Sequence, residues 1–233
     1  CHLGIKIANG KNLVPAAPFE TDTNGEGTIV TPPEFYPLLQ QGRISAHRTE
    51  IARFTHNGIV LQDGTELEVD CVVLATGWKS DFEYLSDDAR AALGTDEDGF
   101  YLYRHMLHPD LANLAFIGRA TAVSNILTHS LQARWLAESI AGRVILPERN
   151  AMLGEIDEIK AWKRSWMPYS PVRSTRLFMH AQHYHDELMR DIGIDPLRKR
   201  GLFAPLKELL APYQPADYQA IVAGNWETPI KPL

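Results

Sequence analysis

The sequence predicts an α/β fold with a mainly helical C-terminal region, and three observations predict it. The stretch DCVVLATGWKS holds an unbroken apolar run closed by Thr76-Gly77, the pattern of a strand covered on both faces. Further on, NLAFIGRATAVSNILTHSLQARW again runs strand, glycine, short polar loop, helix. From residue 150 onward, candidate helices at 150–166, 173–192 and 204–211 are broken by Pro168, Pro171, Pro196 and Pro212.

Taken in order, residues 1 to 33 carry NGKN, TNGEGT and TPP and read as loop. Residues 34 to 42 read as a short helix closed by Gly42. GRISAHRTEIARF and GIVLQDGTELEVD are β-rich, with Asp63-Gly64 as the tight hairpin turn between them. CVVLATG follows as the buried strand. Residues 80 to 94 read as a helix stopped by Gly94. GFYLYRHMLHPDLANLAFIG is aromatic and extended, and ends in a second buried strand, LAFIG. A helix then starts at Ser124 or Asn125, both good caps. Its apolar residues Ile126, Leu127, Leu131, Trp135, Leu136 and Ile140 recur at helical spacing before Gly142 and Pro147. The Pro-rich tail after 212 is expected to wrap a surface. No internal repeat or low-complexity tract occurs.

Bulk properties exclude several classes. The 233 residues carry a net charge of -6, so no broad basic surface is available for nucleic acid. No apolar run approaches the ~20 residues that span a bilayer, and no signal-peptide pattern occurs. Two cysteines, Cys1 and Cys71, are too few for a disulfide framework and favour a reducing, cytoplasmic compartment. The chain opens on Cys, and its first residues read as mid-protein sequence, so a fragment is expected.

The chemistry sits at the strand ends. Ligands of open α/β sheets bind at the carboxyl ends of strands. Gly77 lets a bound group approach the backbone, and the Thr76 hydroxyl can bond phosphate or ribose. The helix start at Ser124 and Asn125 offers free N–H groups and a dipole suited to an electron-rich group such as a flavin pyrimidine carbonyl. The alternative at both places is structural: a strand ending in a glycine turn, and caps that only cap.

DCVVLATGWKSDF resembles the ATG(Y/W) element of flavin-containing monooxygenases. HPDLANLAFIG followed by QARWLAESIAGRVILP resembles the segment where that family's chain returns to its FAD domain, and HYHDELMRDIG resembles its final helical region. The resemblance runs from about residue 34 onward. It implies an incomplete Rossmann-like FAD/NAD(P)-binding fold plus the helical C-terminal region. Residues 1–77 would close the NADPH-binding domain, 78–148 would return to the FAD-binding domain, and 149–233 would be the helical region. The family's two GxGxxG fingerprints do not occur in this sequence; NGEGTIV has GxG without the third glycine. The implied cofactors are FAD and NADPH, and the implied co-reactants are O2 and a small-molecule substrate. One oxygen atom would pass to a nucleophilic nitrogen or sulfur, or to a ketone. Implied cofactor-binding residues are Ala75, Thr76, Gly77, Gly118, Ser124, Asn125, Ile126 and, as the weaker choice, Gln132; Trp135 is expected in the core. No side chain is required as a general acid or base, and the fragment alone is expected to be inactive.

Two rival readings differ in class. One is a non-catalytic α/β interaction module with purely structural strands. The other is a pyridine nucleotide–disulfide reductase fragment, disfavoured by the lack of CxxC. HAQHYHDE places His180, His183 and Glu187 near one helical face, but its spacing matches no zinc signature, so no metal is expected. In RHMLHP, Arg104, His105 and His108 could line a substrate or NADP pocket; the favoured reading is a polar rim on an aromatic strand.

Overall fold

The structure is a computed structural model that describes Leu13 and residues 32–76, 82–177 and 180–222. Gly77, the first residues of the helix expected at 80–94 and the end of the tail lie outside the described residues. The chain divides into two compact units, Cys1–Asp81 and Phe82–Leu233.

In the first unit, α1 (Phe35–Gln40) ends before Gly42, which takes φ 71°. Three short strands follow, β1 (Ile51–Phe54), β2 (Gly58–Leu61) and β3 (Glu66–Glu68), paired antiparallel in the order β1-β2-β3. Asp63-Gly64 turns the chain between β2 and β3, while Thr55 to Asn57 turn it between β1 and β2. The β-rich region is therefore a three-stranded meander, and the expected turn lies one strand later. Gly64 accepts φ 87°, and the Asp63 carboxylate accepts the Thr65 N–H at 3.0 Å, so each residue of the pair does its own part. Gly58 is fixed by pairing: a Cβ there would lie 1.9 Å from the Leu67 carbonyl oxygen.

The expected ATG strand is not formed. Residues 71–76 pair with no described strand and are exposed, with Val73 at 84% and Leu74 at 68%. A strand of this kind owes its burial to neighbours on both sides, and none stands beside it among the described residues. Cys71 is a free, exposed thiol.

In the second unit, α2 (Asp87–Leu93) is shorter than expected because Ser86 caps it, accepting the Ala89 N–H at 3.2 Å. Gly94 closes it in the left-handed conformation at φ 56°. The aromatic stretch is not a strand either. Arg104 and His105 adopt φ 48° and 54° and fold the chain back, so that Leu107 bridges Tyr103 and Ala115 singly. LAFIG contributes that one bridge and the bond from Phe116 N–H to the Met106 carbonyl at 2.9 Å. Phe82, Phe100 and Phe116 pack edge-on around it with Leu93 and Leu102.

Helix α3 (Asn125–Ile140) starts where expected, and Gly142 takes φ 71° just beyond it. Helix α4 (Arg149–Trp166) follows. The helix expected over 173–192 is split into a 3-10 turn, Arg173–Thr175, and α5 (Ala181–Asp191). At the 3-10 turn the buried Lys163 ammonium donates to the Ser174 carbonyl at 2.9 Å and the Arg173 carbonyl at 3.5 Å, and the Arg176 N–H closes the turn on the Arg173 carbonyl at 3.1 Å. Helices α6 (Ala204–Leu210) and α7 (Gln219–Val222) complete the unit. One apolar core joins Tyr101, Met106, Leu131, Trp135, Leu188 and Ile221. Trp135 is fully buried, and its indole N–H donates to Asp191 at 2.9 Å.

Candidate flavin-facing turn at the start of helix α3

The segment from Gly118 to Ile126 is held from behind and open in front. Gln132, fully buried one helical repeat inside α3, accepts the Gly118 N–H through Oε1 at 3.0 Å. Its Nε2 donates to the Tyr184 hydroxyl at 2.8 Å, which in turn donates to the Arg104 carbonyl at 2.7 Å. His129 Nε2 bonds the Ala120 carbonyl at 3.1 Å. Thr121 bridges the 3-10 turn in parallel, donating to the Thr175 carbonyl at 2.7 Å and accepting the Leu177 N–H at 2.9 Å. Asn125 Oδ1 reaches back to accept the Ala122 N–H at 2.8 Å. Thr128, buried below, is bonded to His185 at 2.9 Å and donates to the Ser124 carbonyl at 3.1 Å. Burial holds the His185 imidazole down at about 4, so it is neutral at pH 7.

The front of the turn is bare. Ser124 makes no side-chain cap, so the first-turn N–H groups keep their donors for an outside acceptor. Val123 and Ile126 stand 77% and 85% exposed on either side. Gly118 is exposed at φ 91°, and the nearest atom a Cβ would meet is on His129, 3.6 Å away. An apolar, flat group with a hydrogen-bond acceptor fits this surface.

Arg119 is the residue that sequence reasoning missed. Its guanidinium lies 3.8 Å from the Phe100 ring centroid and 5.3 Å from that of Phe82. Burial pulls its pKa down to about 10, and it forms no ion pair with a described carboxylate. A cation seated on aromatic faces beside Gly118 is placed to meet an anionic group. Nothing in the local pattern GRA marks it, because Phe82 and Phe100 come from elsewhere in the chain.

The other predicted residues separate. Ser124, Asn125 and Ile126 share the open helix start with Gly118, whereas Gln132 points inward and both its amide atoms are spent on the protein. Ala75 and Thr76 are exposed in the first unit. Among the described residues no group of His, Cys, Asp and Glu has metal-holding geometry: His180 packs edge-on against Trp162, His183 pairs with Glu187 at 3.3 Å, and His185 bonds Thr128. Arg104 is no rim residue. It is half-buried in an ion-pair cluster with Glu155 and with Asp191 at 2.7 Å, and Glu187 stands 3.7 Å away. His105 is buried as well, while His108 stays half-buried.

The family model for flavin-binding monooxygenase-like proteins matches residues 34–231. The chain belongs to this family. It is 30% identical over 212 residues to probable flavin-containing monooxygenase 1 of Arabidopsis thaliana, covering 89% of this chain and 39% of that protein. Against flavin-containing monooxygenase 3 of Rattus norvegicus it is 30% identical over 187 residues, covering 77% of this chain and 34% of that protein. A solved structure, S-allyl-L-cysteine S-oxygenase from Allium sativum, superposes with a TM-score of 0.49 at 20% identity, over 86% of this chain and 43% of that one. The chain thus spans well under half the length of these relatives.

Proposed function

We propose that this chain forms part of an FAD- and NADPH-dependent monooxygenase with a Rossmann-like cofactor fold, and that the Gly118–Ile126 turn meets the ring end of the flavin. The relatives are named as flavin-containing monooxygenases, and the turn has the chemistry such a ring needs. The carrying observation is the open start of α3, where Val123 and Ile126 are exposed and the Ser124 side chain caps none of the first-turn N–H groups. Bound flavin supplies the redox chemistry with NADPH and O2, and one oxygen atom passes to a nucleophilic nitrogen or sulfur, or to a ketone.

The chain's own residues bind and orient. The first-turn donors and the dipole of α3 face the pyrimidine edge of the ring. Ile126 and Val123 exclude water from its apolar flank. Arg119 stands by for an anionic part of the cofactor. Gln132 and His129 fix the turn without touching the cofactor. Ala75 and Thr76 belong to the link between the two nucleotide sites on this reading. With no glycine-rich fingerprint in its 233 residues, the chain by itself is proposed to bind FAD weakly and to oxidise no NADPH.

The test is Ile126→Asp in the intact polypeptide that carries these residues. Because Ile126 is exposed, the melting temperature of the apoprotein is expected to hold while flavin retention and NADPH oxidation are lost. Full flavin retention by Ile126→Asp removes the ring-end reading.

A further inference from the structure

Helix α6 turns its apolar face to the outside. Phe203, Leu206, Leu209 and Leu210 fall on one face by their three- and four-residue spacing, and all four are exposed, Leu209 at 80%. Leu202, just ahead of the helix, is 91% exposed, and Leu197 is exposed as well. Leu197, Ala204, Pro205 and Leu209 come together around a shallow hollow of about 590 Å³, which Arg200 lines with them. A lone exposed leucine is ordinary, but an apolar face of this extent marks an interaction surface.

The polar side of α6 holds it in this orientation. Glu208 lies on the opposite face, and its carboxylate accepts the Lys199 N–H and the Tyr213 hydroxyl. The Lys199 ammonium donates to the Pro212 carbonyl at 2.9 Å and pairs with Asp217 at 2.7 Å. Arg198 is buried, pairs with Asp186 at 2.8 Å and lies 3.9 Å from the Tyr213 ring centroid. The segment is pinned by its inner face, and its leucines are left outside.

Charge selects the partner. In a chain of net charge -6, residues 197–210 carry Arg198, Lys199, Arg200 and Lys207 against Glu208 alone. Arg198 and Lys199 are committed to the pairs above. Arg200 and Lys207 are exposed and form no ion pair with a described carboxylate. Asp195, the acid beside the hollow, accepts the Leu197 N–H at 2.9 Å. Cations beside protruding leucines suit a surface that is negative outside and apolar just beneath, which is the layering of a bilayer with anionic headgroups. A second copy of the chain suits them less, because it would bring its own Arg200 and Lys207 to the contact with Glu208 turned inward.

We propose that residues 197–210 dock this protein peripherally on an anionic phospholipid bilayer. Leu202, Phe203, Leu206 and Leu209 enter the acyl boundary, and Arg200 and Lys207 meet the phosphates. The docking needs no span, and among the described residues no helix is long and apolar enough to cross a membrane. It does not depend on the flavin reading.

Flotation of the intact polypeptide that carries these residues tests this, with vesicles of phosphatidylcholine alone and with about 30% phosphatidylserine added. Binding to the anionic vesicles is expected, at least about tenfold tighter than to the neutral ones and weaker at high salt. Leu202→Asp with Leu209→Asp is expected to abolish binding to both; these positions are exposed, so the melting temperature is expected to hold. Arg200→Gln with Lys207→Gln is expected to bring the anionic vesicles down to the level of the neutral ones. Light scattering without vesicles is expected to give the leucine variant the same particle mass as the parent. No binding to anionic vesicles, equal binding to both kinds, binding unmoved by either pair of substitutions, or an oligomer that the leucine variant splits each overturns the proposal.

Discussion

Gln132 Oε1 accepts the Gly118 N–H at 3.0 Å, so the second turn of α3 fixes the loop that leads into its own start. The same amide donates to Tyr184, and the loop is thereby tied to α5 as well.

Gln132→Leu leaves the Gly118 N–H without its partner and removes a donor from Tyr184. Leaving a buried polar group unmade costs about 1–3 kcal/mol. Chemical denaturation should show that loss, and the intact flavoprotein should also retain less flavin. Gln132→Glu keeps the acceptor for Gly118 and should recover part of the flavin content; equal flavin loss in both variants would mean that the bond does not position the turn.

Gly118→Ala separates backbone strain from crowding. A Cβ would meet only His129 at 3.6 Å, an ordinary contact, but the backbone sits at φ 91°. The expected cost is therefore conformational, about 1–2 kcal/mol, read as a lower unfolding midpoint with an unchanged denaturant slope.

Two substitutions divide the loop anchoring by Asn125 from its proposed part in the flavin site. Asn125→Ala loses the acceptor for the Ala122 N–H, a loss of about 0.5–1.5 kcal/mol, and is expected to lower the flavin midpoint potential. Asn125→Asp keeps that acceptor and adds negative charge at the helix start, so the melting temperature should hold while the potential falls. An unmoved potential in both proteins would leave Asn125 a loop anchor with no part in the flavin site.

Acid should act through Asp98. The Arg164 guanidinium, helped by Tyr101 and Arg173, holds its carboxyl down at about 2 against an ordinary 3.8. Because the folded value lies below the unfolded one, this stability is complete above about pH 4 and is lost as pH falls toward 2. Asp98→Asn strands Arg173 in a buried position, at a cost of about 3–5 kcal/mol, and should remove this part of the acid dependence. Denaturation of both proteins between pH 2 and pH 6 measures it.

At higher pH the group that acts is Lys163, and here too stability rises with pH. Burial brings its ammonium down to about 7 from 10.5, with Asp98 opposing the shift. Between those values the unfolded chain holds a proton that the folded chain has released, so stability rises with pH by up to about 1.4 kcal/mol per unit. Above pH 10 the trend reverses as buried tyrosines such as Tyr103, raised to about 12, keep protons that the unfolded chain gives up. Lys163→Met is expected to flatten the rise between pH 7 and 10.

The sequence by itself determined the places where one residue settles the backbone. Gly42, Gly94 and Gly142 take positive φ at or just beyond the helices they close, Asp63-Gly64 makes a tight turn, and α3 begins at Asn125. These are local conformational preferences, legible wherever the residue stands. Trp135 was legible as core from the spacing of its helix. Only the tertiary structure decided what each side chain meets. CVVLATG carries the mark of a covered strand, yet coverage belongs to the neighbours, and residues 71–76 stand exposed without them. LAFIG bends into a single bridge because Arg104 and His105 turn the chain back before it. Gln132 faces inward because Tyr184, fifty-two residues away, waits there. Arg119 becomes a cation on an aromatic seat through pairings across long stretches of chain. Such pairings are set by packing in space and leave no local period in the sequence.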